Sequence, residues 1–366
     1  MLDSWLLPVN TDTIELPELQ DFQLGKNIAT PAPAMADLSD IQVAIIGLDA
    51  QAATAARRHL YQTAYHFTSL RIADLGDIRK PEANFIAPFV QELLEGKIIP
   101  VLIGVDSGLM SSQFFAHKAV QASVNVAWID ARIPFTPKAE VPMGFLDEIM
   151  RPRNSGLLHL TVAGYQTHFV NPATLAYLDK HHFDHVRLGR ARTELPALEP
   201  LLRDADTVGF DISAIRQAEA PGQAKPGPNG FFAEEACQIC RYAGMSDKLR
   251  SFGIFGFTPA NDAQEQTAQL VAQMVWYFLE GVANRKNDFP ASLDGLVEYV
   301  VDTKEDFAHL SFWKSTRSGR WWVQVPVKTR KKEERHRLLP CTYEDYLQAS
   351  NDELPSRLWN AFKRFG

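Results

Sequence analysis

Three short apolar runs in this chain stop on an aspartate: "GVDSG" (104–108), "WIDARIPF" (128–135) and "GFDIS" (209–213). A strand that ends on a carboxylate delivers it to the carboxyl edge of a sheet, where open α/β folds place their sites. Asp106, Asp130 and Asp211 are therefore the first candidates for acid–base or metal chemistry. Arg132, two positions after Asp130, argues against a metal, because its charge is permanent. Two other groups have metal-like spacing. Cys237 and Cys240 form a C-x-x-C, but within a helical pattern and with no second ligand pair, so they read as helix-packing thiols. His181, His182 and His185 in "DKHHFDH" read as a solvated helix end, and His159 and His168 as ordinary hydrogen-bonded histidines.

The elements that would position these residues are legible. Strands are expected at 41–47, 69–76, 98–104, 124–130, 157–164, 185–189, 206–211 and 251–257. Several are apolar along their whole length, as strands covered on both faces are. Helices are expected at 50–66, 84–96, 108–121, 171–183, 232–244 and 261–281, the last capped by Asn261 or Asp262 and stopped by Gly281. This alternation predicts an α/β fold, a three-layer α/β/α arrangement around a mostly parallel eight-stranded sheet. It occupies residues 41–285, preceded by a wrap or linker over 1–40 and followed by a small basic α+β unit over 286–366.

In that last unit, Lys314, Arg317, Arg320, Lys328, Arg330, Lys331, Lys332, Arg335 and Arg337 face only Glu333 and Glu334. The stretch carries +7 in a chain of net charge -7, so the remainder carries -14. Phe312, Trp313, Trp321 and Trp322 are interleaved. Such a surface can dock on the acidic remainder, on a second copy or on an acidic protein partner. Binding single-stranded nucleic acid by stacking is the less favoured reading. In "RWWVQVP" strand alternation sends one tryptophan to each face. No apolar stretch reaches the ~18 residues of a membrane span. Three cysteines do not make a disulfide framework, and the N-terminal residues lack a signal-peptide pattern. A cytoplasmic protein is expected.

The three strand ends, followed by "APG" (220–222) and "PGPNGFFAEEA" (226–236), resemble the ureohydrolase superfamily of arginases, agmatinases and formimidoylglutamases. The helix 261–281 resembles the family's closing helix with its D-x-x-x-x-T-A pattern. The strings "AGYQTHFVNP", "RLGRAR", "EEACQICRYAGMSDKL" and "RHRLLPCTYEDY" are similar to a branch of arginase-like proteins found in Bacteroidetes. The resemblance implies two Mn²⁺ ions held by two histidines and four aspartates, with a metal-bridging hydroxide attacking an amidine or guanidine carbon. It also implies a homo-oligomer.

Matched residue by residue, the family's ligand positions fall on Ser107, Asp130, Arg132, Pro134, Asp211 and Ser213. Only Asp130 and Asp211 keep a metal-binding side chain. The family's substrate-binding glutamate falls near Gly256. The expectation is therefore no metal cofactor and a non-catalytic binding or scaffold protein. The alternative is a manganese hydrolase of linear amidines. A single Mg²⁺ on Asp130, Asp211 and waters is a third reading, since magnesium tolerates an aqueous shell. Residues i and i+2 of a strand share a face. Arg132 is accordingly expected to lie among Asp106, Asp130 and Asp211 and to replace the lost metals as their counter-charge, or else to grip an anionic ligand.

Overall fold

A computed structural model of the protein describes residues 2–31, 37–67, 69–138, 140–141, 143–152, 155–290, 292–302, 309–327 and 335–365. Its main sheet has nine strands: β1 (Leu6–Leu7), β2 (Val43–Gly47), β3 (Ile72–Ile78), β4 (Ile99–Ile103), β5 (Val124–Ile129), β6 (Leu157–Tyr165), β7 (Asp184–Arg187), β8 (Thr207–Asp211) and β9 (Ser251–Phe255). Their spatial order is β1-β3-β2-β4-β9-β8-β5-β6-β7. All the expected strands are present and parallel. The ninth, β1, is a correction to the eight-stranded expectation. Two residues of the N-terminal wrap pair antiparallel with β3, Leu6 opposite Ile78. A two-residue strand has no periodicity to detect.

Alternation along each strand feeds two cores. Val43 and Ile45 join Ala127, Ile129, Val208 and Phe210 against the helices Ala50–Leu60, Ala233–Gly244 and Gln266–Ala283. Ala44 and Ile46 join Val126, Trp128, Leu160 and Val162 against Ala83–Glu95, Met110–Val120 and Phe145–Met150. Both faces are dry, which is why these strands read as unbroken apolar runs.

Gly281 does not stop its helix, which runs on to Ala283. It lets that helix cross Ala233–Gly244 closely: a Cβ on Gly281 would meet the Arg241 carbonyl at 2.5 Å, and one on Gly244 the Phe278 carbonyl at 2.1 Å. Asp262 does serve the helix start, accepting from the amides of Thr267 (3.0 Å) and Ala268 (2.8 Å).

The C-terminal unit is an antiparallel sheet of β10 (Leu296–Asp302), β11 (His309–Ser315), β12 (Trp321–Val327) and β13 (Arg335–Cys341). The helices Tyr343–Ser350 and Ser356–Phe365 follow it. Trp321 packs in this unit's own core with Phe312, Val323 and Leu339, while Trp322 turns to the other face under the Arg203 guanidinium, 4.5 Å from its ring centre. Phe312, Trp313, Trp321 and Trp322 are all buried, so none offers an open platform for stacking bases.

Among the described basic residues, Arg320 lies 3.5 Å from both Glu199 and Asp288, and Arg337 lies 3.4 Å from Asp204. Arg317 donates to the Asn287 carbonyl and Lys314 sits over Trp321. These charges bind the unit to the chain's own acidic residues. Lys328, Arg330, Lys331 and Lys332 fall outside the described residues, as does the Arg335 side chain. No helix is long and apolar enough to cross a membrane among the described residues.

Candidate functional site

Asp130 follows the last residue of β5, and Asp211 ends β8, the neighbouring strand. Adjacent parallel strands ending level bring the two carboxylates to one point of the carboxyl edge. Both are buried. The Ser213 hydroxyl donates to Asp130 Oδ1 at 2.8 Å and the Ser213 amide to Asp211 Oδ1 at 2.9 Å, so one serine bridges the pair. The Ser107 side chain also lies close enough to Asp211 to favour its charged form. Ser107, Asp130, Asp211 and Ser213, four of the six matched positions, are thus brought together.

Trp128 is a participant that motif matching missed. Its indole Nε1 donates to Asp130 Oδ2 at 3.1 Å. The signal was present: Trp128 and Asp130 stand at i and i+2, the spacing that shares a strand face. Gly209 makes the room, since a Cβ there would meet the Trp128 ring at 2.6 Å.

Arg132 does not do what its position suggested. Its backbone amide donates to Asp130 Oδ1 at 2.9 Å, but its guanidinium lies over the Phe169 ring, 4.2 Å from the centre. It forms no ion pair with any described residue. The alternation argument fails because strand pairing stops with the Asp130 amide on the Ala163 carbonyl and the chain bends at Ala131 and Arg132, where the loop path sets side-chain direction. Asp106 is also outside the cluster: it is exposed, and its carboxylate caps the Gly108 amide at 2.8 Å.

Pro134 packs against Gly144, where a Cβ would meet it at 2.8 Å. It holds the loop before helix Phe145–Met150. Gly256 has φ +81 and abuts Asp211: a Cβ would come within 2.5 Å of its Oδ1. The position that should carry a substrate-binding glutamate thus has no room for any side chain.

Without a neighbouring guanidinium, the pair responds by holding protons. Burial and the charge of Asp211 push the Asp130 carboxyl up to about 7, against the lowering effect of the Arg132 amide, Ser213 and Trp128. Burial also raises Asp211, opposed by Ser213, by the charge of Lys225 and by Ser107. Lys225, exposed in the loop after Pro221-Gly222, acts on this carboxylate through its charge alone.

Two carboxylates, two hydroxyls, a proline and an outward-turned arginine are not the donor set of a binuclear manganese centre, which needs imidazole and carboxylate ligands around both ions. No group of three or more His, Cys, Asp or Glu side chains is placed to hold a metal ion among the described residues. The remaining metal-like groups are accounted for. Burial pushes the Cys237 thiol up to about 12 and raises the Cys240 thiol well above its ordinary value. His185 bonds Asp179 at 2.8 Å and the Tyr165 hydroxyl at 3.1 Å. His159 bonds Asp184 at 2.9 Å.

The profile of the Arginase family matches residues 44–280. The chain belongs to the arginase family. Formimidoylglutamase of Staphylococcus aureus strain MRSA252 is 25% identical over 187 residues, 49% of this chain and 60% of that relative's length. Formimidoylglutamase from Bacillus subtilis superposes with a TM-score of 0.61 at 20% identity, covering 72% of this chain and 92% of its own. Trypanosoma cruzi formiminoglutamase with Mn²⁺ also gives 0.61, at 18% identity, over 72% of this chain and 99% of its own. At these identities the superpositions establish the arginase fold. The Gly222 amide donates to Thr267 Oγ1 at 2.7 Å, joining the Pro-Gly loop to the closing helix.

Proposed function

We propose that this arginase-family protein is a non-hydrolytic binding or scaffold protein, in which a proton-holding carboxylate pair stands where relatives carry metal. The observation that supports this reading is the donor set. Arg132, Pro134, Ser107 and Ser213 replace four ligands, and Gly256 presses its backbone against Asp211. Under this reading the C-terminal unit stabilises the domain through Arg320 and Arg337 and supplies no substrate contact.

A second reading, hydrolysis of a C–N bond in a linear amidine such as formimidoylglutamate, is the one that the comparisons favour, because the similar curated proteins are formimidoylglutamases. It requires manganese ligands in addition to Asp130 and Asp211, from residues outside the matched positions.

One experiment separates the two. The protein is purified with manganese supplied, its metal content is measured, and formimidoylglutamate, arginine and agmatine are offered as substrates. The first reading expects substoichiometric manganese and no release of formamide, urea or ammonia. About two manganese ions per chain, as a binuclear centre requires, together with product release, would overturn it and establish the second.

A further inference from the structure

At the same edge of the sheet, beside the carboxylate pair, lies an open cavity of about 330 Å³ lined by Gln166, His168, Arg187, Arg192, Arg216 and Asn229 among others. Three guanidiniums and an imidazole border it and, among the described residues, no carboxylate does. That volume falls in the range of small-ligand pockets.

The cations come from three separate elements. Arg187 ends β7, Arg192 lies in the helix Leu188–Thr193, and Arg216 follows the turn after β8. Arg192 and Arg216 are both held against the Phe232 ring, at 4.2 and 4.1 Å from its centre. Their acids sit outside the cavity: Glu235 takes only the Nε of Arg192, at 2.9 Å, and Glu219 stands 3.5 Å from Arg216 Nη1. The remaining guanidinium nitrogens have no hydrogen-bond partner among the described residues. Arg187 has neither ion pair nor side-chain hydrogen bond among them, and it is exposed.

The wall opposite is fixed. Gln166 Nε2 donates to the Asn229 carbonyl at 2.9 Å, and the Gln166 amide to the Ala131 carbonyl at 2.9 Å. Gly230 brings its loop onto the backbone of Arg216, where a Cβ would meet the amide nitrogen at 2.3 Å. Arginines already oriented by ring contacts and back-side acids lose little freedom on binding, and their planar forks match carboxylate and phosphate oxygens.

We infer that this cavity binds a small dianion, a dicarboxylate or a phosphomonoester, through Arg187, Arg192 and Arg216. The inference deepens the binding reading proposed above. Its test involves no turnover, so its failure leaves the metal and product assays to judge that reading separately.

The full-length protein is titrated calorimetrically at low salt with inorganic phosphate and, separately, with succinate. Saturable binding of either is expected, and the tighter one identifies the oxyanion class. Arg187→Gln and Arg216→Gln should each weaken binding tenfold or more, and the exposed Arg187→Glu should abolish it. Arg190→Gln, on the same helix but paired with Glu194 and outside the cavity, should leave it unchanged. Thermal melts confirm that each variant is folded. No saturable binding of either anion up to about 10 mM, where a site of millimolar affinity would fill, overturns the inference. So does equal weakening by Arg190→Gln, or binding indifferent to Arg187→Glu.

Discussion

Replacing Asp130 by asparagine tests whether the carboxylate pair holds protons in place of metals. A carboxyl raised from 3.8 to about 7 in the folded protein binds its proton more tightly there than in the unfolded chain. Its contribution to stability is complete below pH 4 and is lost as the pH rises through about 7. At about 1.4 kcal/mol per pH unit the loss from Asp130 is on the order of 4 kcal/mol.

Asparagine cannot titrate, so that slope disappears. The substitution has its own cost, independent of pH. Asp130 Oδ1 accepts from Arg132 and Ser213, and Oδ2 from Trp128. An amide can keep the first two partners, but it turns an NH₂ toward the indole N–H and leaves one buried donor unpaired, costing about 1–3 kcal/mol.

The variant should therefore be less stable than the parent at pH 4, where the contribution is complete, and equal to or more stable than it at pH 8. The assay is urea unfolding of both proteins across that range in metal-free buffer with chelator. Taking the difference between the two cancels the titration of every other group. Parallel curves, or an asparagine variant that loses ground toward pH 8, would refute the argument.

Two further outcomes are expected. Gly256→Ala places a Cβ 2.5 Å from Asp211 Oδ1 at φ +81, so it should cost about 2–3 kcal/mol from left-handed strain and a displaced hydrogen bond, read as a lower urea midpoint. Arg320→Met leaves Asp288 and Glu199 without their shared cation. It should cost about 2–4 kcal/mol, in line with the breaking of buried pairs, and should speed proteolytic release of the segment beyond Ala283.

Much of the domain was legible because its strands are covered on both faces and its helices carry their own stop and start chemistry. The parallel sheet and the Asp262 cap both followed from local pattern. Other features needed partners distant in sequence. The Leu6–Leu7 pairing, the strand Arg335–Cys341, and the use of Arg320 and Arg337 against Glu199, Asp288 and Asp204 have no local signature. The arginines around the anion cavity, spread from 187 to 216, belong to the same class.

By itself the sequence determined which atoms stand at the ligand positions: a proline has no lone pair to offer a metal and a guanidinium none it can spare, whatever the fold does. Only the tertiary structure decided where the replacement charges go. Arg132 was expected among the carboxylates and lies instead against Phe169, while Trp128 and Ser213 contact Asp130. The reason is geometric. The pleat dictates direction as far as Asp130, whose amide still donates to the Ala163 carbonyl of the neighbouring strand, so Trp128 was bound to share its face, but at Ala131 the chain bends and that rule no longer holds.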